Sequence, residues 1–375
     1  MVYKMNPKYI MIGGFLGAGK TTTIARLAKD FVQQGKRVAI VTNDQTTDLV
    51  DTHSLRSQGF DVGEVAGACF CCNFNELTQT MEGMTSQNLP DIILAEPVGS
   101  CTDLVATVLL PLEKVYGRPL DIAPYGVILK PSHGKKILEG KPGGGFSPKA
   151  EYIFRKQIEE ADFILINRAD ELSKTDLDHL DNLLSEQFPG KPILRISAKT
   201  GSGFADFHEK LIPSDPDKPA KRPRTTIDLD YDIYAEGEAE LGWLNSQLDV
   251  TSTTPFELDA FLMNLIHGLQ KRFVELGAEA AHLKTIGLFE GFYAVANLVS
   301  NETGAELSLP SGAIVQAANV VINARVRLDP VLLEKCVREQ IAATTQKYSA
   351  LGTIMALQSF RPGRPVPTHR MTDSI

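Results

Sequence analysis

The feature that most constrains the fold of this chain is the segment GGFLGAGKTTT, from Gly13 to Thr23. It follows the apolar run YIMI and contains the spacing G-x-x-x-x-G-K-T, in which Gly14 and Gly19 precede Lys20 and Thr21. Glycines let the backbone curl so that successive N–H groups point at phosphate oxygens. A helix that starts there adds the positive end of its dipole. The segment therefore predicts a phosphate-binding loop between a strand and a helix.

Each residue of this loop has an expected role. We predict that the Lys20 ammonium reaches the β- and γ-phosphates of a nucleotide and that the Thr21 hydroxyl is a ligand of Mg²⁺. The alternative is a glycine-rich turn that arose by chance. The residues predicted to bind the nucleotide here are Gly14, Gly17, Ala18, Gly19, Lys20, Thr21 and Thr22.

Apolar runs and helical patterns alternate from residue 8 to residue 210. The runs, such as RVAIV, DIILA and FILIN, are almost uninterrupted, which is typical of parallel strands covered by helices on both faces. We therefore predict an α/β fold with a mainly parallel sheet over residues 1–212, with its functional site at the carboxyl ends of the strands.

The pattern changes after this region. PSDPDKPAKRPR, Pro213 to Arg224, is rich in proline and charge and predicts an extended, exposed linker over residues 213–226. Strand-like runs around two helical patterns follow and favour a smaller α+β domain over residues 227–350, with an antiparallel sheet in a split βαβ arrangement. Residues 351–375 are predicted to form a loose tail.

Two segments after apolar strands indicate which base is bound. FILINRAD carries an N-R-A-D element, where GTPases use N-K-x-D, and RISAKTG follows the next strand. An aspartate carboxylate accepts two hydrogen bonds from guanine N–H groups, a pair that adenine lacks, and the aliphatic stem of Arg168 can replace that of lysine against the base. We therefore predict GTP rather than ATP. The predicted base-side residues are Asn167, Arg168, Asp170, Ser197, Ala198 and Lys199.

Two acidic residues at strand ends are the expected magnesium and hydrolysis groups. Asp44 follows RVAIV within TNDQTT, and Glu96 ends DIILA within EPVG. We predict that both hold Mg²⁺ together with Thr21, and that Gly99 offers its backbone N–H to the γ-phosphate. A helix cap or a polar loop is the alternative for these segments. The candidate catalytic residues are Lys20, Asp44 and Glu96.

Three cysteines crowd into GACFCC, at Cys69, Cys71 and Cys72. Three thiolates suit a soft or borderline ion such as Zn²⁺, Co²⁺ or Cu⁺, and three local ligands leave a fourth position for an ion that must leave. The alternative is a buried thiol cluster that shields the sheet. Cys101, shortly after EPVG, is a further but weaker candidate ligand.

Net charge, apolar segments and cysteine content limit the kinds of binding partner that we expect. The chain has 375 residues and a net charge of −8, and an acidic protein lacks the basic stripe that nucleic acid needs. The sequence has no pattern of a signal peptide or a membrane span. Its five cysteines favour metal or redox chemistry over a disulfide framework. We therefore expect a cytoplasmic protein that binds neither nucleic acid nor membrane.

Together, GGFLGAGKTTT, CFCC, EPVG, QIEEADFILINRAD and SAKTG resemble the CobW-type GTPases, relatives of the UreG and HypB nickel chaperones. The resemblance covers the first domain and implies slow GTP hydrolysis that powers metal delivery to a client, or help in cobalamin metabolism. This chain departs from the family in Arg168, in Ala68 where glycine usually precedes the first cysteine, and in lacking a histidine-rich stretch.

The cysteines lie between TNDQTT and EPVG, the two segments predicted to sense the γ-phosphate, so a switch that closes on GTP and Mg²⁺ would move them too. The hypothesis is a metallochaperone that delivers Zn²⁺ or Co²⁺ to a client metalloenzyme, with a GTP-dependent homodimer as an option. The main competing hypothesis is a GTPase that assembles or reactivates a cobalamin-dependent protein. A small-molecule kinase and a non-enzymatic zinc-binding module are two more hypotheses that the motifs leave open.

Overall fold

The structure, a computed structural model, describes residues 6–43, 52, 55–56, 58–87, 89–140, 147–215, 224–298, 301 and 304–372. Packing divides the chain into two units. The first takes Met1–Thr47, Gly59–Tyr234 and Arg364–Ile375, and the second takes Asp48–Gln58 and Ala235–Gly363. Among the described residues, no helix combines the length and the apolar character that crossing a membrane requires.

The first unit is built on an eight-stranded sheet with the order β3-β2-β4-β1-β6-β7-β8, in which β5 also pairs with β1. The strand pairs are parallel, and the central strands are buried on both faces, as their near-continuous apolar runs predict. The α/β prediction is therefore confirmed. The strands are β1 (Lys8–Gly14), β2 (Val38–Asn43), β3 (Asp61–Val65), β4 (Ile92–Glu96), β5 (Asp121–Ile122), β6 (Gly126–Leu129), β7 (Phe163–Ile166) and β8 (Ile193–Arg195).

Helices connect these strands, and serine side chains cap the N-termini of two of them. Ser147 caps one helix by accepting from the Ala150 N–H, and Ser173 caps another by accepting from the Asp176 N–H. A π-helical turn, Val105–Leu109, leads into α3, and α8 contains the boundary between the units. The helices are α1 (Lys20–Gln33), α2 (Phe74–Gln87), α3 (Leu110–Lys114), α4 (Pro131–Leu138), α5 (Pro148–Glu160), α6 (Lys174–Gln187), α7 (Phe204–Leu211) and α8 (Tyr231–Ala239).

The second unit is an antiparallel sheet with the order β12-β11-β10-β13-β9-β14 and two long helices. Strand β13 lies between β9 and β10, which α9 connects, so the predicted split βαβ arrangement is present. The apolar stripe of α9 is buried in the core of this unit. The elements are β9 (Gly242–Glu257), α9 (Leu258–Glu275), β10 (Ala280–Phe289), β11 (Phe292–Leu298), β12 (Glu306–Leu309), β13 (Ile314–Val326), α10 (Pro330–Lys347) and β14 (Ala350–Phe360).

The structure corrects the predicted loose tail and part of the predicted linker. Residues 351–375 do not form a loose tail, because β14 occupies Ala350–Phe360 and pairs with β9, and the segment from Arg364 belongs to the first unit. Arg224, at the end of the predicted exposed linker, is buried, and its guanidinium pairs with Glu113 at 2.8 Å. Long-range pairing of this kind leaves no local sequence pattern.

Candidate functional site

The predicted phosphate-binding loop connects β1 to α1. Gly14, Gly17 and Gly19 have φ angles of 136°, 72° and 95°, in a region that residues with a Cβ disfavour. A Cβ added to Gly14 would lie 2.2 Å from the backbone oxygen of Ile128, and one added to Gly19 would lie 2.4 Å from Nδ2 of Asn167. The conformation of the loop therefore depends on glycine at these positions.

Lys20, the first residue of α1, is buried. Its Nζ donates to the carbonyl oxygens of Gly14 at 3.0 Å and Phe15 at 3.5 Å, so the ammonium lies over the loop. Gly99 is next to this ammonium, because a Cβ added to Gly99 would lie 2.8 Å from it. The structure thus brings together the two residues that are predicted to meet the γ-phosphate. Thr22, predicted to bind as well, is exposed on α1.

Thr21 and Glu96 form the predicted magnesium pair. The Thr21 hydroxyl donates to Oε1 of Glu96 at 2.8 Å, and Glu96 is buried at the end of β4. A hydroxyl oxygen beside a carboxylate oxygen is the kind of hard ligand set that Mg²⁺ prefers. These two residues therefore fit the ion. The third predicted ligand, Asp44, lies outside the described residues.

Asn167 connects the phosphate loop to the second base-side segment. Its Nδ2 donates to the carbonyl oxygen of Ala18 at 2.9 Å, and its Oδ1 accepts from the Ala198 N–H at 3.0 Å. Both hydrogen bonds stay within the protein. Asn167 therefore positions the loops around the predicted nucleotide, and its own contact with the nucleotide stays a prediction.

The other base-side residues lie on two short turns. Arg168 has a left-handed φ of 58°, and its guanidinium pairs with Glu171 at 3.2 Å, while Asp170 is exposed. Ser197 is buried, and its Oγ accepts from the Thr200 N–H, whereas Lys199 is exposed. Asp170 is thus exposed to solvent, and its role in accepting hydrogen bonds from guanine stays a prediction.

Arg26 on α1 is a contributor that the sequence patterns do not reveal. Its guanidinium donates to the carbonyl oxygens of Ala198 at 2.7 Å and Lys199 at 2.8 Å. The helix that begins at the phosphate loop therefore also holds the SAK segment in place.

Asn43, the last residue of β2, holds the cysteine loop. Its Nδ2 donates to the carbonyl oxygens of Val65 at 2.9 Å and Ala68 at 2.8 Å, and its Oδ1 accepts from the Phe70 N–H at 2.8 Å. Asn43 is buried. The start of TNDQTT is therefore attached directly to the loop that carries the cysteines, a contact that the one-letter sequence does not predict.

The sulfurs of Cys69, Cys71 and Cys72 lie together, with separations of 3.0, 3.3 and 3.8 Å. Around a tetrahedral zinc ion, ligand sulfurs are about 3.8 Å apart, because Zn–S bonds are about 2.3 Å long. Among the described residues, this is the one group of three or more potential ligands whose donor atoms lie within 4.8 Å of one another. The three thiols can therefore hold a metal with small side-chain movements.

A fourth thiol, Cys101, contacts this cluster. Hydrogen bonds between the Cys69 sulfur and its neighbours, Cys101 first and then Cys71 and Cys72, hold the pKa of Cys69 well below its usual value. The same contact with Cys69 raises the pKa of Cys71 well above its usual value and that of Cys72 to about 11. Negative charge therefore concentrates on Cys69, where a cation would be attracted.

The loop that carries Gly99 and Cys101 is held by two buried side chains of α5. Nε2 of Gln157 donates to the carbonyl oxygens of Gly99 at 3.0 Å and Cys101 at 2.8 Å. The Glu160 carboxylate accepts from the Thr102 hydroxyl and from the Val105 N–H, both at 3.1 Å. The QIEE segment, one of the motifs of the family resemblance, therefore has a structural role beside the cysteines.

Glu160 should make stability depend on pH. Burial, the largest cause, raises its pKa from 4.5 to about 8, so the folded state binds more protons between these two values and stability falls as the pH rises through them. We expect this carboxyl to lower the free energy of unfolding by about 2 kcal/mol from roughly pH 5 to pH 7. Glu160→Gln should remove that decrease in urea unfolding measured across this range.

The control for this prediction is Glu159→Gln, which changes the preceding carboxylate, a partly exposed partner of Lys156. This variant should keep the wild-type pH dependence. An unchanged slope in Glu160→Gln would mean that Glu160 is ionised in the folded protein.

Comparison with known proteins finds a family model that matches half of this sequence. The family model described as CobW/HypB/UreG, nucleotide-binding domain, matches residues 8–195. The zinc chaperone YeiR of Escherichia coli (strain K12) is 30% identical over 168 residues, which are 43% of this chain and 46% of that protein. The zinc chaperone CobW of Sinorhizobium sp is 28% identical over 220 residues, 51% of this chain and 58% of that protein. The chain thus spans about half the length of the curated relatives it matches.

A solved structure is similar at the level of the chain trace. The crystal structure of the hydrogenase maturation factor HypB from Archaeoglobus fulgidus covers 54% of this chain and 86% of its own, with 17% identity and a TM-score of 0.38.

Proposed function

This chain belongs to the CobW/HypB/UreG family, and we propose that it is a GTP-hydrolysing metallochaperone that carries a transition metal on Cys69, Cys71 and Cys72 to a client protein. Membership of a family with a nucleotide-binding domain supports nucleotide binding, and similarity to the zinc chaperones YeiR and CobW supports zinc as the cargo. The thiol donor set also favours zinc or cobalt over harder ions.

One observation carries the proposal. Glu96, Gly99 and Cys101 lie within six consecutive residues at the end of β4. The first contacts Thr21, the second lies beside Lys20, and the third contacts the Cys69 thiol. The predicted phosphate site and the thiol cluster therefore share one short loop.

The residues have distinct proposed roles in hydrolysis. Backbone N–H groups of the glycine-built loop and the Lys20 ammonium bind the β- and γ-phosphates, and Gly99 donates its N–H to the γ-phosphate. Thr21 and Glu96 would hold Mg²⁺, which neutralises phosphate charge when bound. Asp170 selects guanine by accepting from its N–H groups, within loops that Asn167 and Arg26 position.

Because the two sites share this loop, nucleotide binding and metal binding are coupled. Nucleotide contacts at Glu96 and Gly99 shift the position of Cys101, and the hydrogen bonds of Asn43 attach the end of β2 to the loop of Cys69. GTP and metal then favour the same closed arrangement, and hydrolysis releases the ion. The client is a metalloenzyme or a cobalamin-dependent protein, and a GTP-dependent homodimer would bring two such sites together.

The test is metal affinity in two nucleotide states. Zinc affinity is measured by chelator competition, first with GDP and then with a non-hydrolysable GTP analogue plus Mg²⁺. We expect about a 5- to 150-fold difference, the usual range of allosteric coupling. Equal, tight affinities would make the metal structural and favour the GTPase that serves a cobalamin-dependent protein. Undetectable zinc binding would contradict the metallochaperone itself.

A further inference from the structure

The last described residues of the chain cross the cysteine loop. We define the C-terminal strap as residues 364–372, all within the first unit. The Thr368 N–H donates to the carbonyl oxygen of Cys71 at 2.8 Å, and the Thr368 hydroxyl donates to that of Cys72 at 3.0 Å. The His369 ring packs edge-on against Phe74, with the ring centroids 5.0 Å apart. The strap therefore follows the loop that carries the thiols.

Both hydrogen bonds of Thr368 fall on residues that carry the thiols. The carbonyl groups of Cys71 and Cys72 each accept one of them, so the strap holds the backbone from which two of the three sulfurs project. Hydrogen bonds to metal-bound sulfurs and their neighbours are the outer-shell contacts that orient ligands and tune metal affinity.

A second set of contacts attaches the strap to the loop of Cys101. Nε of Arg370 donates to the carboxylate of Asp103 at 2.7 Å, and the Met371 N–H donates to the carbonyl oxygen of Ala106 at 2.8 Å. Asp103 is buried and has a left-handed φ of 64°. It lies two residues after Cys101. A strained, buried carboxylate needs such a partner, so Arg370 helps to fix this loop.

We propose that the C-terminal strap is the outer shell of the thiol site: through Thr368 and Arg370 it holds the two cysteine-bearing loops together, and it thereby sets the rate at which the metal leaves. This inference rests on the proposed metal binding at the cysteines. It adds a positioning element whose Thr368 lies 296 residues from Cys72 in the sequence.

The test removes one hydroxyl group and keeps the rest of the strap. Thr368→Val deletes the donor to the Cys72 carbonyl oxygen and keeps a side chain of the same shape. Thr368→Ser, which keeps the hydroxyl, is the matched control. Each full-length protein is loaded with Co²⁺, and the loss of its cobalt–thiolate absorption to excess chelator is followed in time.

We expect Thr368→Val to release Co²⁺ about tenfold faster than the wild type, because outer-shell changes usually weaken metal binding about 10- to 100-fold. Thr368→Ser should match the wild type in rate. Equal release rates for the valine and serine variants would overturn the role of the strap while leaving metal binding intact.

A second variant tests the ion pair between the strap and the loop of Cys101. Arg370→Gln removes the ion pair with Asp103 and should also speed release, and Arg370→Lys should restore part of the wild-type rate. Wild-type rates in Arg370→Gln would overturn the proposed link between the two loops. A wild-type protein that takes up no Co²⁺ would instead overturn the proposed function, and the inference with it.

Discussion

Lys20→Ala is expected to lower kcat for GTP hydrolysis by about 10²- to 10³-fold, the usual cost of removing a group that stabilises transition-state charge. The Lys20 ammonium lies over the phosphate loop, 3.0 Å from the Gly14 oxygen and beside Gly99. Alanine removes this charge and leaves the three glycines that shape the loop unchanged. The measurement is phosphate release at saturating GTP and Mg²⁺.

Lys29→Ala is the matched control, because Lys29 is an exposed lysine on the same helix. It should hydrolyse GTP at the wild-type rate. Hydrolysis by Lys20→Ala within about threefold of the wild type would mean that the loop does not bind the reacting phosphates, and the assignment of this site would be wrong.

Cys71→Ser is expected to weaken zinc binding by more than about 100-fold, since outer-shell changes alone often cost about 10- to 100-fold. The Cys71 sulfur lies 3.0 Å from that of Cys69, and a serine hydroxyl is a much poorer ligand for a borderline ion than a thiolate. Affinity is measured by chelator competition in the presence of the GTP analogue.

Cys336→Ser is the control for this variant. Cys336 and Cys71 are both 2% exposed, so the cost of placing a hydroxyl in a buried position is similar. The control should bind zinc like the wild type. Wild-type zinc affinity in Cys71→Ser would mean that the zinc is bound away from these thiols, and it would support a buried thiol cluster that holds no metal.

Lys20→Ala and Cys71→Ser also distinguish the metallochaperone from the competing functions. A small-molecule kinase would lose activity in Lys20→Ala but would need an acceptor substrate and would be indifferent to Cys71. A non-enzymatic zinc-binding module would respond only to Cys71→Ser. Only a protein whose nucleotide site and metal site are allosterically coupled should lose the nucleotide-dependent change in zinc affinity in both variants.

Local patterns were enough to predict the fold class and the central parts of the candidate site. A phosphate loop is a strand, a turn and a helix in consecutive residues, so its glycines, Lys20 and Thr21 are recognisable from spacing alone. The same holds for Glu96 and Gly99, which follow a buried strand, and the structure brings them to Lys20 and Thr21. Uninterrupted apolar strands likewise predicted the parallel sheet that the structure confirms.

The supporting contacts could not be predicted in this way. Asn43, Arg26 and Gln157 act on backbone oxygens of distant loops, and any loop offers such oxygens. Strand β14 is a partly exposed edge strand that becomes recognisable only through its pairing with β9.

By itself, therefore, the sequence determined the parts of this protein whose chemistry lies in consecutive residues: the parallel sheet, the phosphate loop and the presence of three neighbouring thiols. Only the tertiary structure decided that Cys101 contacts those thiols and that the C-terminal strap covers their loop. The physical reason is that the strap binds in part through the backbone N–H groups of Thr368 and Met371, a kind of donor that almost every residue has. Their partners are set by the path of the folded chain and not by residue type.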